Sequence, residues 1–137
     1  MDNKNAKKVL FIPSGIGLAH LGRLIVVAKE LQKRGNSVVF GASKESSQIL
    51  KKEKLSFRIL PELTRQSLED IKKLRLNLYS TKNIEDFVKS EITLIRAEKP
   101  DLVVSDTRPT AKISSKITSV PLVTINNANL STFYDYS

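Results

Sequence analysis

Residues 7–20, KKVLFIPSGIGLAH, decide the fold of this chain. The short apolar run Val9–Ile12 is typical of a buried strand, and a loop that contains Gly15 and Gly17 follows it. The loop ends at His20, the only histidine of the protein, where an amphipathic helix begins. This order predicts the first unit of an α/β sheet, with His20 at the sheet edge where such folds bind ligands.

Strand and helix patterns alternate along the rest of the chain. The predicted strands are Lys7–Pro13, Ser37–Gly41, Ser56–Leu60, Leu102–Ser105 and Leu122–Ile125. The predicted helices are 20–34, Lys44–Glu53 with Ser43 as its N-cap, 66–78, a helix capped by Asn83 and closed by Pro100, and 110–118. Short apolar strands separated by helices imply a doubly wound, Rossmann-like parallel sheet of about five strands in three layers, in the order 3-2-1-4-5.

The composition is that of one domain with ordinary hydrophobicity. The chain has 137 residues, 40% of them hydrophobic, and this length suits a single domain over 1–137. It has no cysteine and one histidine, which argues against a disulfide framework, a thiolate nucleophile and a zinc site, so we predict no metal. We also expect no cofactor. No apolar run approaches the roughly 20 residues that span a bilayer, and residues 1–8 lack the apolar core of a signal peptide. We therefore expect a cytoplasmic location.

The net charge of +9 leaves three interpretations open. A solvated basic surface is the simplest. The segment 66–78 combines basic residues with leucines, which suits peripheral contact with anionic membrane lipid. Nucleic-acid binding is the least favoured, because the chain has five phenylalanines, three tyrosines and no tryptophan, without an RNA-binding signature.

Two loops are predicted to face each other across the carboxyl edge of the sheet. In a doubly wound sheet the ligand crevice lies where the connections diverge, here after the first and fourth strands. Ser14–His20 and Asp106–Thr110 follow those strands, which brings His20 near Asp106. A carboxylate that holds one imidazole nitrogen leaves the other free to take a proton from a hydroxyl, so we predict a catalytic pair. A loop histidine and an aspartate that caps the next helix are the competing interpretations.

Other polar residues near this edge carry weaker signals. Arg23 lies one helical turn after His20 and can reach the same edge, although an arginine on the helix surface is the simpler interpretation. Asn127 and Asn129 follow the fifth strand, where amides suit sugar hydroxyls, but asparagine is also common in loops. The glycine pair of the first loop lacks the third glycine and the acidic residue of a dinucleotide site, so we exclude that site.

Several motifs resemble those of GT-B glycosyltransferases. The run GIGLAHLGR at 15–23, then LQKRGNSVVF at 31–40, resembles the "G-H-x-x-R/P" loop and the "R-G-H-x-V-x-F" segment of the N-terminal half of that family. KPDLVVSD at 99–106 and VPLV at 120–123 are similar to its "P-D-x-V-V-x-D … x-P" segment. UDP-glycosyltransferases and lipid-precursor N-acetylglucosaminyltransferases are the similar groups. The chain departs from the pattern at Ala19, where glycine is usual, and at Asn36, where a second histidine is usual.

The resemblance implies sugar transfer, with inversion, from a nucleotide-diphosphate sugar to an acceptor hydroxyl. It makes His20 the base on that hydroxyl and Asp106 its carboxylate partner. The predicted acceptor-binding residues are Ser14, Gly15, Gly17, Arg23, Asn127 and Asn129. In this family a second, C-terminal domain holds most of the donor, so we expect this chain to be the acceptor-binding half, inactive alone. A fragment, an excised domain and one subunit of a split enzyme all remain open, as does a non-catalytic flavodoxin-like binding or regulatory module.

The basic segment provides a test of membrane contact. If 66–78 docks on anionic lipid, changing Lys72, Lys73 and Arg75 to Glu reverses the attraction, and sedimentation of the chain with anionic liposomes is lost. Liposome binding that is unchanged by the three substitutions would rule out this surface.

Overall fold

The computed structural model describes residues 5–14, 18–60 and 81–125. In these ranges strands and helices alternate: β1 (Lys8–Ile12), α1 (Leu18–Lys33), β2 (Ser37–Ala42), α2 (Lys44–Lys52), β3 (Phe57–Ile59), α3 (Thr81–Glu98), β4 (Leu102–Asp106), α4 (Thr110–Thr118) and β5 (Leu122–Ile125). The strands form one parallel sheet in the order β3-β2-β1-β4-β5, which confirms the predicted α/β class and strand order. The predicted helix 66–78 lies outside the described residues.

The core consists of two layers, one on each face of the sheet. Successive side chains of a strand point to opposite faces, so β1 contributes to both layers. Val9 and Phe11 face α1 and α2, where Phe11 stacks on Phe40 with ring centroids 5.0 Å apart. Leu10 and Ile12 face the opposite side, which α3 covers. The central strands are therefore buried on both faces, as a parallel sheet requires.

The helix ends follow local sequence signals, with one correction. Ser43 caps α2 by accepting a hydrogen bond from the N–H of Ser46 at 3.2 Å, as predicted. Gly35, with φ of 90°, adopts after α1 the left-handed conformation that glycine tolerates. Asn83, however, lies inside α3, which begins at Thr81. The first turn of a helix has unpaired N–H groups at several successive positions, so an asparagine there does not fix where the helix starts.

The sheet ends at β5 on one side. In the part of the chain that is described, β5 pairs with β4 alone, and its Val123 is 48% exposed. Ile113 and Ile117 of α4 are exposed as well. A cleft of about 970 Å³ lies between α4 and β5, with Pro109, Val120, Pro121 and Leu122 among its lining residues. This end of the sheet is therefore less covered than its centre.

The packing of α1 on the sheet generates a stability prediction. Leu24 is fully buried in the layer between α1 and the sheet, so Leu24→Ala leaves a cavity and lowers the free energy of unfolding by about 2–5 kcal/mol. Val26, on the same helix, is 70% exposed, and Val26→Ala changes that free energy by less than about 0.5 kcal/mol. Urea titration followed by circular dichroism measures both. Equal effects of the two substitutions would contradict the described orientation of α1.

Candidate functional site

The carboxyl ends of β1 and β4 form the edge at which the sequence predicts a site. In the register of these neighbouring strands, Ile12 lies opposite Ser105, so Asp106 is level with the loop that leaves β1. Asp106 lies on the same face of β4 as Val104, the face that α1 covers. His20 lies in the first turn of α1. The topology therefore directs both side chains to one point.

His20 and Asp106 are in direct contact at this edge. The Nδ1 atom of His20 lies 2.8 Å from Oδ1 of Asp106. The Asp106 side chain is fully buried, whereas that of His20 is 20% exposed. The pair thus joins a sheltered carboxylate to an imidazole that is partly exposed to solvent. The structure brings the two residues together as expected, and their catalytic role stays a prediction.

The interpretation of Asp106 as a helix cap is wrong. Asp106 is the last residue of β4, and α4 begins only at Thr110. The N-cap position of α4 is Pro109, and no side chain makes a capping hydrogen bond there. The Asp106 carboxylate instead binds donors from α1 and from the residue that follows it in sequence.

Arg23 is the third member of this cluster. Its Nε donates to Oδ2 of Asp106 at 3.0 Å and its Nη2 donates to Oδ1 at 2.8 Å, a two-point contact that fixes the plane of the carboxylate. The hydroxyl of Thr107 also donates to Oδ1, at 2.9 Å. Arg23 therefore reaches the predicted edge, and its contact there is with Asp106. The spacing of Arg23 and His20 in the sequence does not predict this two-point geometry.

The position of the hydrogen on His20 follows from these neighbours. Nη2 of Arg23 lies 3.0 Å from Nδ1 of His20, so Nδ1 can either accept from Arg23 or donate to Asp106. An unprotonated Nδ1 would direct its lone pair at a carboxylate oxygen 2.8 Å away, which is repulsive. We therefore assign the hydrogen to Nδ1, an assignment that the network implies. Nε2 of the neutral ring is then an acceptor that can take a proton.

Of the predicted acceptor-binding residues, Ser14 and Arg23 lie in the described ranges. Ser14 follows β1 at the same edge and is partly buried. The others, Gly15, Gly17, Asn127 and Asn129, lie outside the described residues. β5 also ends at this edge, because Ile125 pairs with Asp106. The described ranges contain no group of three or more His, Asp or Glu side chains that could hold a metal ion.

The sequence prediction missed a second polar cluster, on the opposite face of the sheet. Glu91 of α3 is fully buried. Its carboxylate accepts hydrogen bonds from Nε of Arg108 at 2.6 Å, from the Thr110 hydroxyl at 2.6 Å and from the Ser114 hydroxyl at 2.5 Å. A signal was available, because Glu91 sits midway between the apolar positions 87 and 95 on one helix face. A charge in such a stripe needs buried partners.

Several known proteins that resemble this chain are glycosyltransferases. No protein-family model matches it. An uncharacterized glycosyltransferase of Methanosarcina acetivorans is 27% identical over 136 residues, covering 93% of this chain and 35% of the relative. An inactive PGL/p-HBAD biosynthesis glycosyltransferase of Mycobacterium bovis is 26% identical over 124 residues, covering 89% and 33%. The calicheamicin glycosyltransferase CalG4 shares the fold with a TM-score of 0.70 at 17% identity, covering 94% of this chain and 36% of that one.

The resemblance to GT-B glycosyltransferases is therefore confirmed. The chain has the Rossmann-like fold found in the N-terminal domain of such enzymes. It is similar in sequence to curated glycosyltransferases, and it spans about a third of their length. One of these relatives is named inactive, so the similarity does not by itself show activity.

The hydrogen assignment on His20 can be tested directly. Because the chain has a single histidine, ¹⁵N labelling of histidine gives one imidazole spectrum without overlap. At alkaline pH we expect the hydrogen on Nδ1 in the parent chain, and a loss of this preference in Asp106→Asn, because the amide can turn a donor toward Nδ1. Val26→Ala serves as the control, because Val26 is an exposed apolar residue of the same helix. A parent spectrum with the hydrogen on Nε2 would show that Arg23 donates to Nδ1 instead.

Proposed function

We propose that this chain is the acceptor-binding half of an inverting glycosyltransferase, which transfers a sugar from a nucleotide-diphosphate sugar to an acceptor hydroxyl. The observation that carries the proposal is the 2.8 Å contact between His20 and the buried Asp106 carboxylate at the carboxyl edge of the sheet. Doubly wound folds bind their ligands at this edge. The names of the curated relatives support the reaction class.

In the proposed reaction, His20 is the general base. Its Nε2 takes the proton of the acceptor hydroxyl while the hydroxyl oxygen attacks the anomeric carbon of the donor sugar. The bond from that carbon to the phosphate oxygen breaks, and its electron pair leaves with the nucleotide diphosphate. Attack opposite the leaving group inverts the anomeric configuration. Asp106 holds Nδ1–H and stabilises the imidazolium that forms.

Arg23 and Thr107 orient the carboxylate in this proposal. The two-point contact of Arg23 prevents rotation of the Asp106 carboxylate, and Thr107 donates to the same oxygen as His20. The base therefore has a fixed direction before an acceptor binds, which is the orientation that proton transfer needs. The acceptor-binding roles of the predicted residues stay predictions: Ser14, Gly15, Gly17, Arg23, Asn127 and Asn129.

A donor-binding half completes the proposed enzyme, as a C-terminal domain or as a partner subunit. The support is that the chain covers 35% and 33% of the two curated relatives. In this proposal the nucleotide-diphosphate sugar is a substrate held mainly by that second half, and no further cofactor takes part. The 137-residue chain alone then turns over little or nothing.

A lipid-linked acceptor and peripheral contact with the inner face of a membrane also stay predictions. No helix within 18–60 or 81–125 has both the length and the apolar content to cross a bilayer. Lys51, Lys52 and Lys54 form an exposed basic group at the end of α2. This group supports surface attraction to anionic lipid, while the basic segment 66–78 lies outside the described residues.

Substitution of His20 tests the proposed function. In an enzyme that combines this chain with a donor-binding half, we expect His20→Ala to lower kcat by about 10²–10⁴-fold, the usual contribution of a general base. The KM for the donor should change little, because the donor is held mainly by the other half. Val26→Ala is the matched control on the same helix, since Val26 is 70% exposed.

Two results of this experiment separate the candidate functions. Loss of turnover in a His20→Ala variant with an unchanged circular dichroism spectrum supports the base role. Retained turnover in the folded variant removes His20 from the chemistry and favours the non-catalytic binding or regulatory module.

A further inference from the structure

We propose that Glu91 and Arg108 are positioning residues, which hold the 107–109 loop from the face of the sheet opposite to α1 and thereby fix Asp106 against His20. The catalytic meaning of this proposal rests on the proposed function. Its structural content does not, because it concerns contacts among described residues and can be measured without turnover.

The first step of the argument is the burial of Glu91. Its side chain has no exposure, and three donors surround its two oxygens: Arg108, Thr110 and Ser114. A buried carboxylate is costly unless its charge and its lone pairs are satisfied, and removal of one partner of such a pair is strongly destabilising. Arg108 belongs to the loop, and Thr110 and Ser114 belong to α4, so Glu91 connects α3 to both the loop and the helix that follows it.

The second step is the immobilisation of Arg108. The residue is only 7% exposed. Its guanidinium lies over the ring of Phe87, 5.4 Å from the ring centroid, while its Nε donates to Glu91. Phe87 and Glu91 are four residues apart and so share one face of α3. Arg108 is therefore clamped by two side chains of a single helix.

The third step is the turn at Thr107, which connects the two clusters. Asp106 points toward α1, and Arg108, two residues later, reaches α3 on the other face. Between them Thr107 has φ of 49°, a left-handed conformation that is unfavourable for a β-branched residue. Its N–H donates to the carbonyl of Ile125 at 3.0 Å and its hydroxyl donates to Asp106. Such a conformation persists only where its surroundings hold it.

The competing interpretation is that the Glu91–Arg108 pair joins α3 to α4 and has no influence on the site. The two interpretations differ in one measurable respect. A pair with only a structural role alters global stability and leaves the geometry around Nδ1 of His20 unchanged in any variant that still folds. A positioning pair alters that geometry at conditions where the chain is fully folded.

The test uses the 137-residue chain and the imidazole spectrum of its single histidine. In Glu91→Gln we expect the Nδ1 hydrogen of His20 to exchange with water about tenfold faster or more, because the 107–109 loop opens locally. The matched control is Glu98→Gln. Glu98 lies on the same helix and pairs with two cations, Lys8 at 3.0 Å and Arg58 at 2.8 Å.

The comparison of the two variants decides the proposal. Faster exchange in Glu91→Gln and an unchanged rate in Glu98→Gln support it. Equal rates in the two variants, whether raised or unchanged, overturn it, because a general loss of stability would then explain any effect.

Glu91→Gln leaves the charge of Arg108 buried without the Glu91 carboxylate, and a double variant avoids this. Glu91→Met with Arg108→Met deletes both charges at similar volume, a replacement that commonly leaves stability unchanged or raised. The buried Thr110 hydroxyl, however, loses its acceptor in this variant, so we expect a lower urea midpoint than in the parent chain. In the absence of urea we expect the variant to be folded and still to exchange the Nδ1 hydrogen faster. A parent-like rate in the double variant overturns the proposal even if Glu91→Gln does not fold.

Turnover distinguishes failure of this inference from failure of the proposed function. In the complete enzyme, a positioning role predicts that Glu91→Gln lowers kcat and leaves the donor KM unchanged, as His20→Ala does. If His20→Ala keeps full activity, the proposed function fails while the exchange result stands. If Glu91→Gln matches Glu98→Gln in exchange while His20→Ala is inactive, the positioning role fails and the proposed function stands.

Discussion

The buried carboxylate of Asp106 is the constraint on which the candidate site depends. A carboxylate with no exposure must be surrounded by donors, since each lost hydrogen bond leaves charge uncompensated in a medium of low polarity. The donors come from two parts of the fold: His20 and Arg23 on α1, and Thr107 in the loop after β4. Any shift of α1 along the sheet would break the bonds from His20 and Arg23 together. The site therefore forms only when α1 has this position relative to β4.

Near the end of β4, each face of the sheet has a buried carboxylate that is paired with an arginine. On the α1 face, Asp106 is paired with Arg23; on the α3 face, Glu91 is paired with Arg108. Both carboxylates are fully buried. The arginine side chains differ in exposure, at 40% for Arg23 and 7% for Arg108. The Asp106–Arg23 pair also contacts His20, which is 20% exposed, whereas the three donors to Glu91 are all buried. The two polar clusters therefore differ in how accessible they are to solvent.

The strand order and the contact between His20 and Asp106 could both be predicted from the sequence, for the same reason. Apolar runs identify the strands, right-handed crossovers then fix their order, and the carboxyl ends of neighbouring strands must share an edge. The cluster around Glu91 depends on side-chain partners from three segments, and a helical stripe with one charge does not say which partners those are. The two-point contact of Arg23 depends on rotamers, which spacing leaves undetermined. Asn83 was misplaced because a first helical turn has unpaired N–H groups at several successive positions, so an asparagine does not by itself mark the helix start.

The half-covered flank of β5 has a consequence for the behaviour of the molecule in solution. In the described ranges this outer strand offers unpaired backbone groups, next to Val123 and the isoleucines of α4. An exposed strand edge of this kind can pair with another strand, either from the same polypeptide or from a neighbouring copy. Wherever this edge stays uncovered, we expect the protein to associate through it at high concentration.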